Sequence, residues 1–148
     1  MLNEKIYKKT LLIKIKKSLD DLQGIKSFNV QDCIFDEYNN IQLIVNSFYK
    51  YDAQGEKIES IGENGFFKDK ECNAILETYM NKYLDYEKEY YISYENIHFL
   101  AFIFSDFLTF IESWRDVYHT YDLTLFNQDE VFVINSNEYD FTIHYTKL

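Results

Sequence analysis

NIHFLAFIFSDFLTFIESWRDVYHT, residues 96–120, is the stretch on which the fold turns. Its first half, His98-Phe99-Leu100-Ala101-Phe102-Ile103-Phe104, has the composition of a buried strand. A strand with one wet face alternates apolar and polar residues, and this one does not. On a helical wheel the whole stretch sorts better. Phe99, Leu100, Ile103, Phe107, Phe110, Ile111, Trp114, Val117 and Tyr118 gather on one side, with His98, Ala101, Ser105, Thr109, Glu112, Asp116 and His119 opposite. Phe102 falls out of place and Asp106 lies at the edge of the apolar side. A period sustained for about seven turns outweighs local β propensity. The spacing therefore predicts one long helix over 96–120, capped near Ser93 or Asn96.

Upstream, Tyr90, Ile92 and Tyr94 alternate as one short strand. Before it, Cys72, Ile75, Leu76, Tyr79, Tyr83 and Tyr86 share a face, which predicts a helix over 69–87 with Asp69 as its N-cap. Residues 27–61 read as three antiparallel strands. Ile41, Leu43 and Val45 alternate with Gln42 and Asn46, and the turns fall at Tyr38-Asn39-Asn40 and Asp52-Ala53-Gln54-Gly55. A first helix over 4–22 carries two apolar stripes, Leu11, Leu12, Ile15, Leu19 and Leu22 on one side and Leu2, Ile6 and Ile13 on another. Two stripes suit a helix buried on two sides, or one buried on one side and paired with a partner on the other. Downstream, residues 121–147 read as a three-stranded meander whose last strand alternates throughout, with Asp140, Thr142, His144 and Thr146 outward.

The expected fold is a single α+β domain over residues 1–148. It has two antiparallel three-stranded meanders and three helices, in the order α-βββ-α-β-α-βββ. Its core should hold Ile15, Leu19, Ile75, Tyr79, Ile103, Phe107, Ile111, Trp114, Phe141 and Ile143.

Composition narrows the function classes. Aromatic residues make up 19% of the chain, which sets it apart from disordered sequences. No segment reads as a signal peptide or a membrane span, since the most apolar run, Ile97–Ile111, is interrupted by Ser105 and Asp106 and is too short. Cys33 and Cys72 read as buried thiols of a reducing compartment, so a cytoplasmic location is expected. The net charge of −10 argues against direct nucleic-acid binding. The charge is also divided. Residues 1–19 hold six lysines against Glu4, so the remainder carries −15.

Chemistry-bearing patterns are few. Glu95-x-x-His98 and Asp116-x-x-His119 have the spacing that puts two metal ligands on one helix face, and Glu112 is placed to join the second pair. Each pair alone offers two ligands where a catalytic zinc takes three, so both read as a solvated polar face and no metal is expected. There is no G-x-S-x-G and no phosphate-cradling loop, and neither cysteine lies in a catalytic context. Adjacent acids such as Asp20-Asp21 and Asp129-Glu130 read as solvated turn residues. Fourteen tyrosines are many, and tyrosine serves both cores and binding surfaces.

Length, element order, acidity and the lack of a catalytic motif give the chain an overall make-up that resembles the small immunity proteins encoded beside bacterial polymorphic and contact-dependent toxins. The resemblance rests on type and not on a motif, so it assigns no residue a role. It implies a non-catalytic protein that neutralises a basic partner, such as a toxin nuclease domain. On charge and exposure, the expected contact surface is the acidic, Tyr-rich end of the first meander: Asp36, Glu37, Tyr38, Tyr49, Tyr51, Asp52, Glu56, Glu59 and Glu63. No cofactor, direct nucleic-acid contact or membrane contact is expected, and a homodimer through the N-terminal helix is the further association considered. Two other readings stand beside this one. One is a small-molecule-binding domain or small enzyme with a pocket between the helix 96–120 and the sheet. The other is a phage or accessory adaptor protein.

Overall fold

The computed structural model describes residues 2–31, 42–43, 45–46, 55–59, 69–94, 98–136 and 140–148. Within them the elements run α1 (Leu2–Asp21), β1 (Ile25–Gln31), β2 (Gly55–Glu59), α2 (Asp69–Tyr83), β3 (Glu89–Tyr94), β4 (His98–Phe104), α3 (Phe107–Tyr118), β5 (Leu123–Phe126), β6 (Glu130–Ser136) and β7 (Asp140–Lys147). The strands form one seven-stranded sheet in the order β1-β4-β3-β5-β6-β7-β2, and every pairing is antiparallel. This is an α+β arrangement, and β5-β6-β7 is the expected C-terminal meander, except that Thr142 and His144, expected outward, are buried at 8% and 1% exposure because a second core covers that face of the sheet too.

The stretch 96–120 corrects the reading of the sequence. Residues 98–104 are a strand, paired with β1 on one side and β3 on the other, and only 107–118 are helical. The reason is burial on both faces. Leu100, Phe102 and Phe104 point into the main core, and Phe99 belongs to a second core on the other face with Phe126, Val131 and Val133. A strand that meets water on neither face has no polar positions, so its sequence is a continuous apolar run.

The first meander is also corrected. Gln42, Leu43, Val45 and Asn46 are helical, and Val45 packs against the second core. Among the described residues β1 and β2 are not meander partners but stand at opposite ends of the sheet. β1 carries features that discourage further strand pairing. It has a register irregularity between Ile25 and Ser27 and places exposed Lys26 there.

Helices α1, α2 and α3 cover the main face. Leu11, Ile15, Leu19 and Leu22 anchor α1, while residues 3–10 are exposed along their whole length. Cys72, Leu76 and Met80 anchor α2, which ends at Tyr83, and Phe107, Phe110, Ile111 and Trp114 anchor α3. Of the expected core, Ile15, Leu19, Phe107, Ile111, Trp114 and Ile143 are buried, and Ile75 and Tyr79 pack against it while partly exposed. Ile103 is intermediate, on the second face.

Gly24 fixes how α1 meets α3. It has φ +75°, and its carbonyl accepts hydrogen bonds from Ser105 N (2.8 Å) and Asp106 N (3.2 Å) at the point where β4 gives way to α3. A Cβ there would lie 2.4 Å from Asp106 O and 2.6 Å from Phe110 N, so only glycine permits this approach.

Candidate functional site

The close approach at Gly24 leaves an open groove on the outer side of α3. The groove encloses about 440 Å³ and is lined by Asp21 and Gln23 from the end of α1 and by Thr109, Glu112, Ser113 and Asp116 from α3. Positions 109, 112, 113 and 116 are three and four apart, which puts them on one helix face. The floor is fixed. Ser113 is buried, and its hydroxyl accepts a hydrogen bond from Gln23 N (3.0 Å) and donates one to Phe110 O (2.9 Å). The Thr109 hydroxyl is hydrogen-bonded to the Asp106 carboxylate. Asp21, Glu112 and Asp116 are exposed on the walls, so the groove presents negative charge above groups already bonded internally.

Sequence reasoning placed a pocket between the helix and the sheet. That space is filled by rings. Phe104 meets Phe110 edge-on at 4.7 Å and Phe107 at 5.5 Å, and Phe102 lies 6.0 Å from Phe110. The groove is on the opposite, solvent side of α3.

The carboxylate-x-x-His pairs do not survive as helix-face pairs. His98 opens strand β4, and Glu95 lies outside the described residues. His119 is the C-cap of α3, exposed, in the left-handed conformation (φ 57°), with its N–H on Arg115 O. Among the described residues no group of three His, Cys, Asp or Glu side chains is placed to hold a metal ion.

A second constellation escaped the sequence. Glu130, read as a solvated turn acid, is buried at 3% exposure. Its Oε1 accepts from the Tyr90 hydroxyl (2.9 Å) and from Asn127 Nδ2 (3.4 Å) and lies 3.6 Å from Lys88 Nζ, and its Oε2 accepts from the Tyr145 hydroxyl. The Tyr90 oxygen in turn accepts from Asp85 N (2.9 Å). Asn127 holds the turn with its Oδ1, which accepts from Asp129 N (2.8 Å) and Glu130 N (3.0 Å). Tyr83 stacks on Tyr145 at 4.5 Å. Burial, reinforced by the neighbouring Glu130 carboxylate, pushes the hydroxyls of Tyr90 and Tyr145 well above the ordinary tyrosine range. They stay protonated and donate. With both carboxylate oxygens occupied, this cluster is a clamp joining β3, the β5–β6 turn and β7.

Of the surface predicted from sequence, Asp36, Glu37, Tyr38, Tyr49, Tyr51, Asp52 and Glu63 lie outside the described residues, and Glu56 and Glu59 fall on edge strand β2. Several of the described tyrosines serve the core: Tyr90 and Tyr121 are buried, and Tyr79, Tyr83, Tyr118 and Tyr145 pack against it. No helix among the described residues is long and apolar enough to cross a membrane. Comparison with known protein families, curated proteins and solved structures finds no match to this chain.

Proposed function

We propose that the chain is a non-catalytic binding protein that neutralises a basic protein partner, in the manner of a toxin immunity protein. The observation that supports this best is the groove between α1 and α3, where Asp21, Glu112 and Asp116 stand exposed over a floor whose polar groups are already paired. Fixed charge of one sign in a concave surface attracts the opposite charge over long range and speeds encounter. The acidic remainder of the chain, which carries Glu56 and Glu59, adds to the same field.

The test is association kinetics with a purified basic toxin domain encoded beside the chain, at low and high salt. Association should slow at high salt. Glu112→Lys with Asp116→Lys should lower the association rate by roughly tenfold and flatten its salt dependence. Asp52→Lys with Glu56→Lys tests the surface expected from sequence in the same way. Association indifferent to salt, or no binding to such a domain, would sink this reading.

One observation favours a second reading. The groove's volume of about 440 Å³ is that of a small-ligand site, and its walls would suit a cationic ligand. Native mass spectrometry of the freshly purified chain separates the two, because a retained small molecule would add mass and a protein partner would not be needed.

A further inference from the structure

We infer that α1 is a surface-binding helix whose outer side, Ile6 and Ile13 set among lysines, lies flat on an anionic lipid bilayer. The expectation of no membrane contact rests on the lack of a span, and a helix lying in the interface needs none. Neither the groove nor the neutralising role is required for this contact.

The core takes only one side of α1. Leu11, Ile15 and Leu19 are buried, and Ile6 and Ile13, two turns apart, fall on the opposite side at 54% and 68% exposure. Lys5, Lys9 and Lys16 flank that line on one side and Lys14 and Lys17 on the other, all exposed. Residues 3–10 are exposed along their whole length, so nothing among the described residues keeps this side from meeting a flat surface.

Most of these lysines have no acid of their own on the helix. Lys5, Lys9 and Lys14 have none three or four positions away in either direction, whereas Lys16 and Lys17 have Asp20 one turn on. Asp20 and Asp21 close the basic stretch and set its extent at residues 5–17. Residues after 19 carry −15, so α1 is the part of the chain that can face an anionic surface. Its buried side points at the acidic body. A helix about 10 Å across holds most of that charge beyond the screening length of about 8 Å at physiological ionic strength.

A bilayer meets both halves of the pattern. The isoleucines enter the boundary of the acyl chains, and the lysine stems lie along it while their ammonium groups reach the phosphates. A nucleic-acid backbone would pair with the lysines and leave Ile6 and Ile13 in water. An acidic peptide offers carboxylates but no continuous apolar layer. Each lysine near an anionic membrane strengthens binding roughly fivefold, so the contact is reversible and depends on the anionic lipid.

The test is vesicle flotation of the full chain, with circular dichroism to check that each surface variant folds. The chain should bind vesicles of mixed phosphatidylserine and phosphatidylcholine and leave vesicles of phosphatidylcholine alone unbound. Affinity should fall roughly tenfold or more from low to high salt. Lys5→Gln with Lys9→Gln and Lys14→Gln should weaken binding roughly a hundredfold. Ile6→Ser with Ile13→Ser should weaken it roughly tenfold or more. Lys70→Gln, at an exposed position of α2, should leave it unchanged. No binding to the mixed vesicles overturns the inference. So does binding that ignores the isoleucine pair, which would mark a purely ionic contact. Tighter binding to short duplex DNA or to polyglutamate overturns it too, since the lysines would then serve a different polyanion.

Discussion

Strand β4 and helix α3 are consecutive in the chain and close in character, and they fold differently. β4 is His-Phe-Leu-Ala-Phe-Ile-Phe, and α3 begins Phe-Leu-Thr-Phe-Ile. The difference lies in their surroundings. α3 has one wet side, marked by Thr109, Glu112 and Asp116, and that side gives its sequence a period. β4 is covered on both faces and has none. Between them, Ser105 and Asp106 donate their backbone N–H groups to Gly24, and this contact marks where one geometry ends and the other begins. A clear helical period can thus be counted backwards into a neighbouring strand that has no period to contradict it.

Charge substitution should break the comparison most sharply. Ala101 is buried between β1 and β3. Ala101→Asp leaves an unpaired charge there and should cost about 4 kcal/mol or more, whereas Glu112→Ala on the wet side of α3 should stay within about 0.5 kcal/mol. Urea titration followed by circular dichroism reads both, and a mild Ala101→Asp would mean that β4 is wet on its second face. Next in size are the rings that join the two elements. Phe104 contacts Phe107 and Phe110, and Trp114 is buried with its Nε1 donating to Asp122 O (3.1 Å). Phe104→Ala and Trp114→Ala should each cost about 3–5 kcal/mol, and a loss for Trp114→Ala below about 1 kcal/mol would place that ring at the surface.

The junction itself comes third. Gly24→Ala meets both a positive φ and backbone atoms at 2.4 and 2.6 Å, so a loss of at least about 1–3 kcal/mol is expected, visible as a lower melting temperature. An unchanged melting temperature would mean that α1 does not press on the start of α3. The smallest effect is at the far end of α3. His119 holds a left-handed conformation that glycine adopts without strain, and His119→Gly should stabilise the chain by about 0.5–1 kcal/mol. A fall in melting temperature instead would assign the His119 side chain a structural role.

Much of this was legible in the sequence where one side of an element is wet. The buried stripe of α1 and the face of α2 follow from that, whereas Thr142 and His144 of β7, expected on a wet face, are buried. β4 was not legible for the reason above, and α2 ends at Tyr83 before the Leu84–Lys88 turn, although Tyr86 extends its stripe. The Glu130 clamp was hidden in another way. Its partners Tyr90 and Tyr145 lie 40 and 15 residues away, so no local pattern separates this acid from its exposed neighbour Asp129. The groove depends on α1 and α3 meeting at Gly24, and spacing within either helix does not encode that meeting.

The order of strands in the sheet also sets a timetable. β1 pairs with β4 through contacts such as Gln31 with Phe99, and β2 pairs with β7 through contacts such as Glu59 with Asp140. During synthesis both segments leave the ribosome long before their partners exist. Contacts of such wide sequence separation make for slow folding, and strands waiting unpaired are the ones most open to wrong association. Lys26, exposed, and the irregularity in β1 therefore act before the fold is complete as well as after it. They shield β1 for as long as it waits for a strand made later in the chain.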